Sequence, residues 1–243
     1  MIYVTVPGDT VSSISRQSGV PVWKIIYDNQ LGEEGELTVG QALLLLKPQE
    51  SAEIREDLYV TGYAYPFIEP YVLEMAFPAL NELLVFSYGF TFEGELVPPI
   101  QDETWMIQLA WENGIEPMLV LTPFTQGGFN NQLIQTLVEE ESVRENVITN
   151  LLKVVEEKGY VGVDVDFEYV RAQNREGYAE FIGELRAAMN EKGYRVSVAL
   201  APKTSSDQKG LLYEGIDYAL LGEQADQLFL MTYEWGYSYG PPM

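Results

Sequence analysis

The 243-residue chain contains no cysteine and no histidine. The first absence excludes disulfides, thiolate nucleophiles and Cys-ligated zinc, and leaves no mark of redox compartment. The second removes the usual general base, Ser-His-Asp triads and His-bound metals, so carboxylates, tyrosine and lysine are left for proton chemistry. Cations are scarce as well: 14 Lys and Arg stand against 37 Asp and Glu, for a net charge of −23. Such a field repels nucleic acid and anionic lipid, and neither nucleic acid nor a membrane is expected as a partner. Long hydrophobic runs are missing, and Met1 leads straight into Ile2-Tyr3-Val4-Thr5-Val6 with no basic stretch, so no signal peptide or membrane span is visible. What is present is apolar residue enough, 47% of the chain, to fill real cores.

Residues 1–47 read as a small domain. The β-branched run 2–6 predicts a strand, and Pro7-Gly8-Asp9-Thr10 a turn whose Asp9 or Thr10 caps a helix bearing Val11 and Ile14, which Gly19 stops. Val20 and Pro21 open a second short helix with Trp23, Ile25, Ile26 and Tyr27; Asn29, Gly32 and Gly35 mark a loop, and residues 42–46 return as a strand. The order is βααβ. Val6-Pro7-Gly8-Asp9-Thr10, Ile14, Asn29 and Val39-Gly40-Gln41 resemble the LysM module. That resemblance implies a peptidoglycan- or chitin-like glycan as partner, bound between the loop of Gly8, Asp9 and Thr10 and the loop after Asn29. Residues 48–57 have few large apolar side chains and read as a linker.

Residues 58–243 read as a second, larger domain. Six short apolar runs, 59–64, 83–88, 117–122, 161–167, 195–201 and 227–233, are candidate buried strands. Between the later ones lie helical patterns. Ser142 and Glu145 have capping-box spacing before Val147, Leu151, Val154 and Val155, and Tyr178, Phe181, Ile182, Leu185 and Met189 line another helix face. Alternating strands and helices predict an α/β domain with a parallel sheet, and this many units predict a TIM-type (β/α)8 barrel. Six units where such a barrel takes eight lead to the expectation of an incomplete barrel, its C-terminal part missing.

The stretch Val161-Gly162-Val163-Asp164-Val165-Asp166-Phe167-Glu168 carries the chemistry. Strand side chains alternate, so Val163, Val165 and Phe167 are expected toward the helices and Asp164, Asp166 and Glu168 toward the barrel interior. Three acids on one buried face repel each other, which raises at least one pKa into the range of a general acid. Glu168 comes last, at the C-terminal end where barrel active sites are built. Clustered carboxylates also suit magnesium or calcium, and spacing alone leaves that open.

The stretch is similar to the Asp-x-x-Asp-x-Asp-x-Glu signature of family-18 glycoside hydrolases: Asp164, Asp166 and Glu168 match its last three acids, and Val161 stands at the first. The resemblance implies that Glu168 protonates the glycosidic oxygen while the substrate's own N-acetyl carbonyl is the nucleophile. It further implies that Asp166 orients the acetamido group and stabilises an oxazolinium-like intermediate, and that Asp164 tunes Asp166; no metal or cofactor is implied. Met231-Thr232-Tyr233-Glu234-Trp235 looks like the family's Met-x-Tyr segment, in which Tyr233 would donate its hydroxyl to the acetamido carbonyl, with Met231 on the same strand face. Trp235, Tyr237 and Tyr239 offer flat faces for sugar stacking, and Tyr63 and Tyr88, near the ends of the first two strands, are further substrate-contact candidates.

Two departures stand out. The family's Ser-x-Gly-Gly on the third strand is replaced by Leu121-Thr122-Pro123-Phe124, and together with Val161 this argues against an ordinary chitinase. With the LysM-like module in front, Phe167-Glu168-Tyr169-Val170 and the segment 231–237 resemble the LysM-bearing spore-germination enzymes of Bacillus-like bacteria. The expectation that follows is an N-acetylglucosaminidase of spore cortex peptidoglycan, working by substrate-assisted retaining catalysis and located at the spore or cell wall. The alternatives are a non-catalytic peptidoglycan- or chitin-binding protein and a chitinase.

Overall fold

The computed structural model describes residues 1–32, 35–46, 58–125 and 128–232. The chain forms two compact units, Met1–Leu58 and Tyr59–Met243.

In the first unit, strands β1 (Ile2–Val4) and β2 (Ala42–Leu44) pair antiparallel, with Ile2 opposite Leu44. Helices α1 (Val11–Ser18) and α2 (Val22–Asp28) lie between them in sequence. Strand alternation turns Tyr3, Leu43 and Leu45 onto Val11, Ile14, Val20 and Ile25, which make a core of their own. The predicted cap is present: the Thr10 hydroxyl accepts from the Ser13 amide at 3.0 Å, and the Ser13 hydroxyl accepts from the Thr10 amide at 3.0 Å. Gly19 ends α1 in the left-handed region, φ +76°, where glycine carries no Cβ penalty.

The second unit runs β3 (Thr61–Ala64), α3 (Pro70–Ala76), β4 (Glu82–Phe90), β5 (Leu96–Val97), α4 (Thr104–Glu112), β6 (Glu116–Leu121), β7 (Phe124–Thr125), β8 (Gly128–Phe129), α5 (Asn131–Glu139), α6 (Glu141–Lys158), β9 (Gly162–Val165), α7 (Arg175–Glu191), β10 (Arg195–Leu200), α8 (Tyr218–Gln224) and β11 (Gln227–Leu230). Six strands, β3-β4-β6-β9-β10-β11, are adjacent in chain order and all parallel, while β5 adds to the end of β4 and β7–β8 form a small hairpin. The sheet curls into a half-barrel of TIM type. The curl is measurable: the Tyr63 ring on β3, at one edge, meets Phe229 on β11, at the other, with centroids 5.3 Å apart.

Alternation sorts each strand. Leu83, Val85, Leu119, Leu121, Val163, Val165, Val196 and Val198 pack under the helices in the main core, whereas Leu84, Met118 and Val120 make a separate inward cluster with Tyr63, Phe86 and Val161. At the N-terminal end of the strands the interior is polar. Arg195 Nη2 on β10 donates to Glu82 Oε1 on β4 (2.9 Å) and to Glu116 Oε2 on β6 (2.6 Å), tying three strands together.

One local expectation fails. Ser142 and Glu145 do not cap a helix: α5 ends at Glu139 and α6 starts at Glu141, so Glu140 is the joint and Ser142 already lies in the first turn. The apolar faces, in contrast, are as predicted, with Val147, Leu151 and Val155 of α6 and all five named residues of α7 buried.

Gly162 opens β9 where the β10 backbone comes close, and a Cβ there would stand 2.1 Å from the Arg195 carbonyl oxygen. Gly162→Ala is therefore expected to force β9 and β10 apart and to destabilise the second unit by more than about 3 kcal/mol. Urea denaturation of the two proteins tests this.

Candidate active site

Beyond Val165 the strand geometry continues for a residue, since the Asp166 amide donates to the Leu121 carbonyl at 2.9 Å. Asp164 and Asp166 therefore share the inward face, and the intervening Val163, Val165 and Phe167 lie in the helix-side core, as alternation requires. Phe167 is fixed by stacking on Tyr178 (5.5 Å) and Phe181 (6.0 Å) of α7. Past the end of the strand, Tyr169 has a φ of +60°, unusual for a residue with a side chain, and turns the chain away immediately after Glu168.

Burial falls along the line of acids: Asp164 is fully buried, Asp166 is 6% exposed and Glu168 is half-buried. Asp164 is held on both oxygens. Tyr63 donates its hydroxyl to Oδ2 at 2.8 Å, and Ser197 on β10 donates to Oδ1. Burial pushes Asp164 up to about 6, against the two hydroxyl bonds that pull it down. Asp166 is pushed further, to about 7, by burial first and then by the charges of Asp164 and Glu168. Its Oδ1 is buried without a hydrogen-bond partner among the described residues. A carboxyl that keeps its proton near neutrality thus sits between a clamped acid and one that reaches the surface. Among the described residues no three carboxylates converge closely enough to hold a metal ion.

The other predicted residues divide. Tyr63 is in the site, bound to Asp164, so its hydroxyl braces the acid line instead of waiting for substrate. Tyr88 is not at the cleft. A register shift between Val85 and Tyr88 reverses the alternation of β4, and Tyr88, 3% exposed, points into the helix-side core, where it donates to Glu103 Oε1 at 2.5 Å. Lys158 completes that buried cluster with a 2.5 Å ion pair to Glu103. Met231 is half-buried one residue past β11, its amide bonded to the Leu200 carbonyl. Tyr233, Trp235, Tyr237 and Tyr239 lie outside the described residues.

In the first unit, most of the named glycan contacts are engaged internally. Asp9 Oδ2 accepts from the Tyr3 hydroxyl and the Val6 amide, each at 2.8 Å, and Thr10 is the cap of α1. Asn29 donates to the Ile25 and Leu44 carbonyls (2.9 Å each) and accepts from the Leu44 amide at 2.6 Å, which ties α2 to β2 and leaves its side chain little to offer a ligand. Gly8 holds the turn at φ +91°.

Two features escaped the sequence reading. Ser197 was legible in principle as a polar residue at an inward position of an apolar strand. The other is an aromatic groove of about 720 Å³ at the C-terminal end of the strands, walled by Tyr65, Phe67, Phe86, Phe92, Ile100 and Phe124. Its rings run on through Phe124–Phe129 (4.6 Å) to Tyr169, the neighbour of Glu168, at 6.1 Å from Phe129. Nothing but the fold brings those rings together.

A parallel curled sheet with acids at the C-terminal ends of its strands has its candidate site where barrel enzymes build theirs. Residues 124–240 match the model of glycosyl hydrolases family 18 and residues 3–45 that of the LysM domain. The chain carries a LysM domain followed by a family-18 glycosyl hydrolase domain. It is similar to a cortical fragment-lytic enzyme of Bacillus subtilis, 37% identical over 168 residues that make up 69% of this chain and 38% of that protein. It is also similar to the crystal structure of the Bacillus cereus spore cortex-lytic enzyme SleL, with 31% identity and a TM-score of 0.72 over 100% of this chain and 56% of that one. A class V chitinase from Pseudomonas fluorescens Pf-5 shares the fold, with 24% identity and a TM-score of 0.67 over 75% of this chain and 57% of that one. The chain thus spans about half the length of such relatives or less.

Two measurements follow. A carboxyl with a raised pKa keeps a proton in the folded state that the unfolded chain releases, so between about pH 4 and pH 7 Asp164 and Asp166 destabilise the fold increasingly as pH rises; at lower pH both states are protonated and the cost disappears. Asp166→Asn should therefore raise Tm at pH 8 by on the order of 2–6 °C and lose that advantage near pH 4; a calorimetric pH series decides it. Asn29→Ala should destabilise the first unit by about 2–3 kcal/mol through the lost bracing, read as faster amide hydrogen exchange in α2 and β2.

Proposed function

We propose that this chain hydrolyses glycosidic bonds of N-acetylglucosamine in peptidoglycan, with spore cortex as its substrate, by substrate-assisted retaining catalysis. The observation that carries the reading is the graded line of Asp164, Asp166 and Glu168, from clamped and fully buried, through proton-retaining, to half-buried at the mouth. Glu168 gives its proton to the glycosidic oxygen as the bond to the anomeric carbon breaks. The acetamido carbonyl oxygen of the same sugar closes on that carbon, and Asp166 supports the acetamido nitrogen and the positive charge that develops. Water then opens the oxazolinium, returning its proton to Glu168, and configuration is retained. Tyr233 would assist the carbonyl, with Met231, Trp235 and the aromatic groove flanking the sugars.

Family membership and the cortex-lytic names of the relatives support the substrate class. A LysM domain at residues 1–47, joined by 48–57 to a catalytic domain at 58–243, would hold the enzyme on an insoluble wall and raise the local concentration of scissile bonds. The protein would accordingly work at the spore or cell wall.

Glu168→Gln should lose roughly 10²–10⁴-fold in turnover of cortex fragments while still binding them, because the proton donor goes and the shape stays. Mass spectrometry of digests should show N-acetylglucosamine at the new reducing ends. Near-normal turnover by the variant would remove Glu168 from its role, and turnover of chitin oligomers without cleavage of cortex fragments would make the chain a chitinase.

A further inference from the structure

The half-barrel interior carries two polar layers built on one plan. In the upper layer Asp164 is held by Tyr63 of β3 and Ser197 of β10. In the lower, Glu82 is held by Thr61 of β3, whose hydroxyl donates at 3.0 Å, and by Arg195 of β10, at 2.9 Å. Thr61 and Tyr63 are two residues apart on one strand, as are Arg195 and Ser197 on the other, so each pair shares the inward face. A rise of about 3.3 Å per residue sets the layers roughly 6–7 Å apart. Glu82, 1% exposed, is therefore a second buried carboxylate one layer below the acid line. It enters from β4, whereas Val161, on the carboxylate strand itself, is apolar and faces inward.

The lower layer is an uneven ion cluster. Arg195 serves both Glu82 and Glu116, and Tyr59 donates to Glu116 at 2.8 Å and to Glu82 at 3.3 Å. One guanidinium faces two carboxylates, so the layer is net negative when both are ionised. Burial raises the pKa of Glu82, while the Thr61 bond, the Arg195 charge and the Tyr59 bond lower it. Tyr63 of β3, Glu82 of β4, Asp166 and Glu168 of the carboxylate strand, Arg195 of β10 and Tyr178 of α7 are the titratable or charged groups around Asp164; β6 adds Glu116 in the lower layer, and β11 presents the neutral Phe229.

We propose that Glu82 is a positioning residue for the acid line: held by Thr61 and Arg195 one layer beneath Asp164, it presents a buried charge to the Asp164–Asp166 pair and so biases the pH at which that pair discharges. Two like charges on successive layers of a dry interior repel more strongly than the same pair would in water. The arrangement lets a residue that never touches substrate shift the working pH of those that do. Its consequence for turnover rests on the function proposed above; its consequence for Asp164 does not.

The test separates the two. In carbon-13 spectra of the side-chain carboxyls of the full chain, assigned with Asp164→Asn, the Asp164 curve of the unaltered protein should show a second inflection as Glu82 titrates. Glu82→Gln should abolish that inflection and lower the Asp164 midpoint by on the order of one pH unit, whereas Glu82→Asp should keep both features. The acid limb of kcat/KM on cortex fragments should move down with Glu82→Gln, with KM unchanged. An unchanged Asp164 midpoint in a folded Glu82→Gln protein would overturn the proposal. So would the absence of a Glu82-linked inflection in the unaltered protein, a measurement that stands even if the variant fails to fold. A shifted midpoint with a stationary acid limb would uphold the coupling and count against the catalytic role of Asp164.

Discussion

Asp164 has no access to water, and a carboxylate in that position costs several kcal/mol unless its oxygens are satisfied. Two hydroxyls meet that requirement from opposite sides, one on β3 and one on β10. In the sheet order β3 and β9 are separated by two strands, so Tyr63 reaches Asp164 only because the sheet is curled. The bond and the curvature depend on each other. With Asp164 clamped, Asp166 is left next to it in a low-dielectric site, one oxygen without a partner among the described residues, and the proton it retains follows from that placement.

The same curvature organises the layer below. Arg195 bridges to β4 and β6 across the interior, and the geometry that gives Glu82 a cation also stacks it under Asp164. The groups that hold the two buried carboxyls, Thr61 and Tyr63 on β3 and Arg195 and Ser197 on β10, therefore occupy consecutive inward positions of the same two strands. Above them, the register shift in β4 divides the end of that strand: Phe86 joins the cleft wall, while Tyr88 turns into the helix-side core and is anchored by Glu103.

In the small unit the polar residues that mark the LysM pattern are largely consumed in making the fold. Asp9 closes the turn onto Tyr3 and Val6, Thr10 caps α1, and Asn29 binds α2 to β2. The residues that carry the pattern are thus the ones that hold the turn, the helix cap and the joint between α2 and β2.

The sequence by itself determined the six strands, the faces of α6 and α7, and the inward direction of Asp164 and Asp166, because a period of two along a strand and 3.6 along a helix are local properties. It also pointed to Glu168 as the last acid of the line. Tertiary structure alone decided what those residues meet. Ser197 is 33 positions from Asp164 and Tyr63 is 101 positions away; no periodicity relates them, and only sheet order and curl make them neighbours. Tyr88 was misplaced for the complementary reason: one irregular step in β4 inverts the side chains beyond it, and a reading by strict alternation carries no sign of such a step.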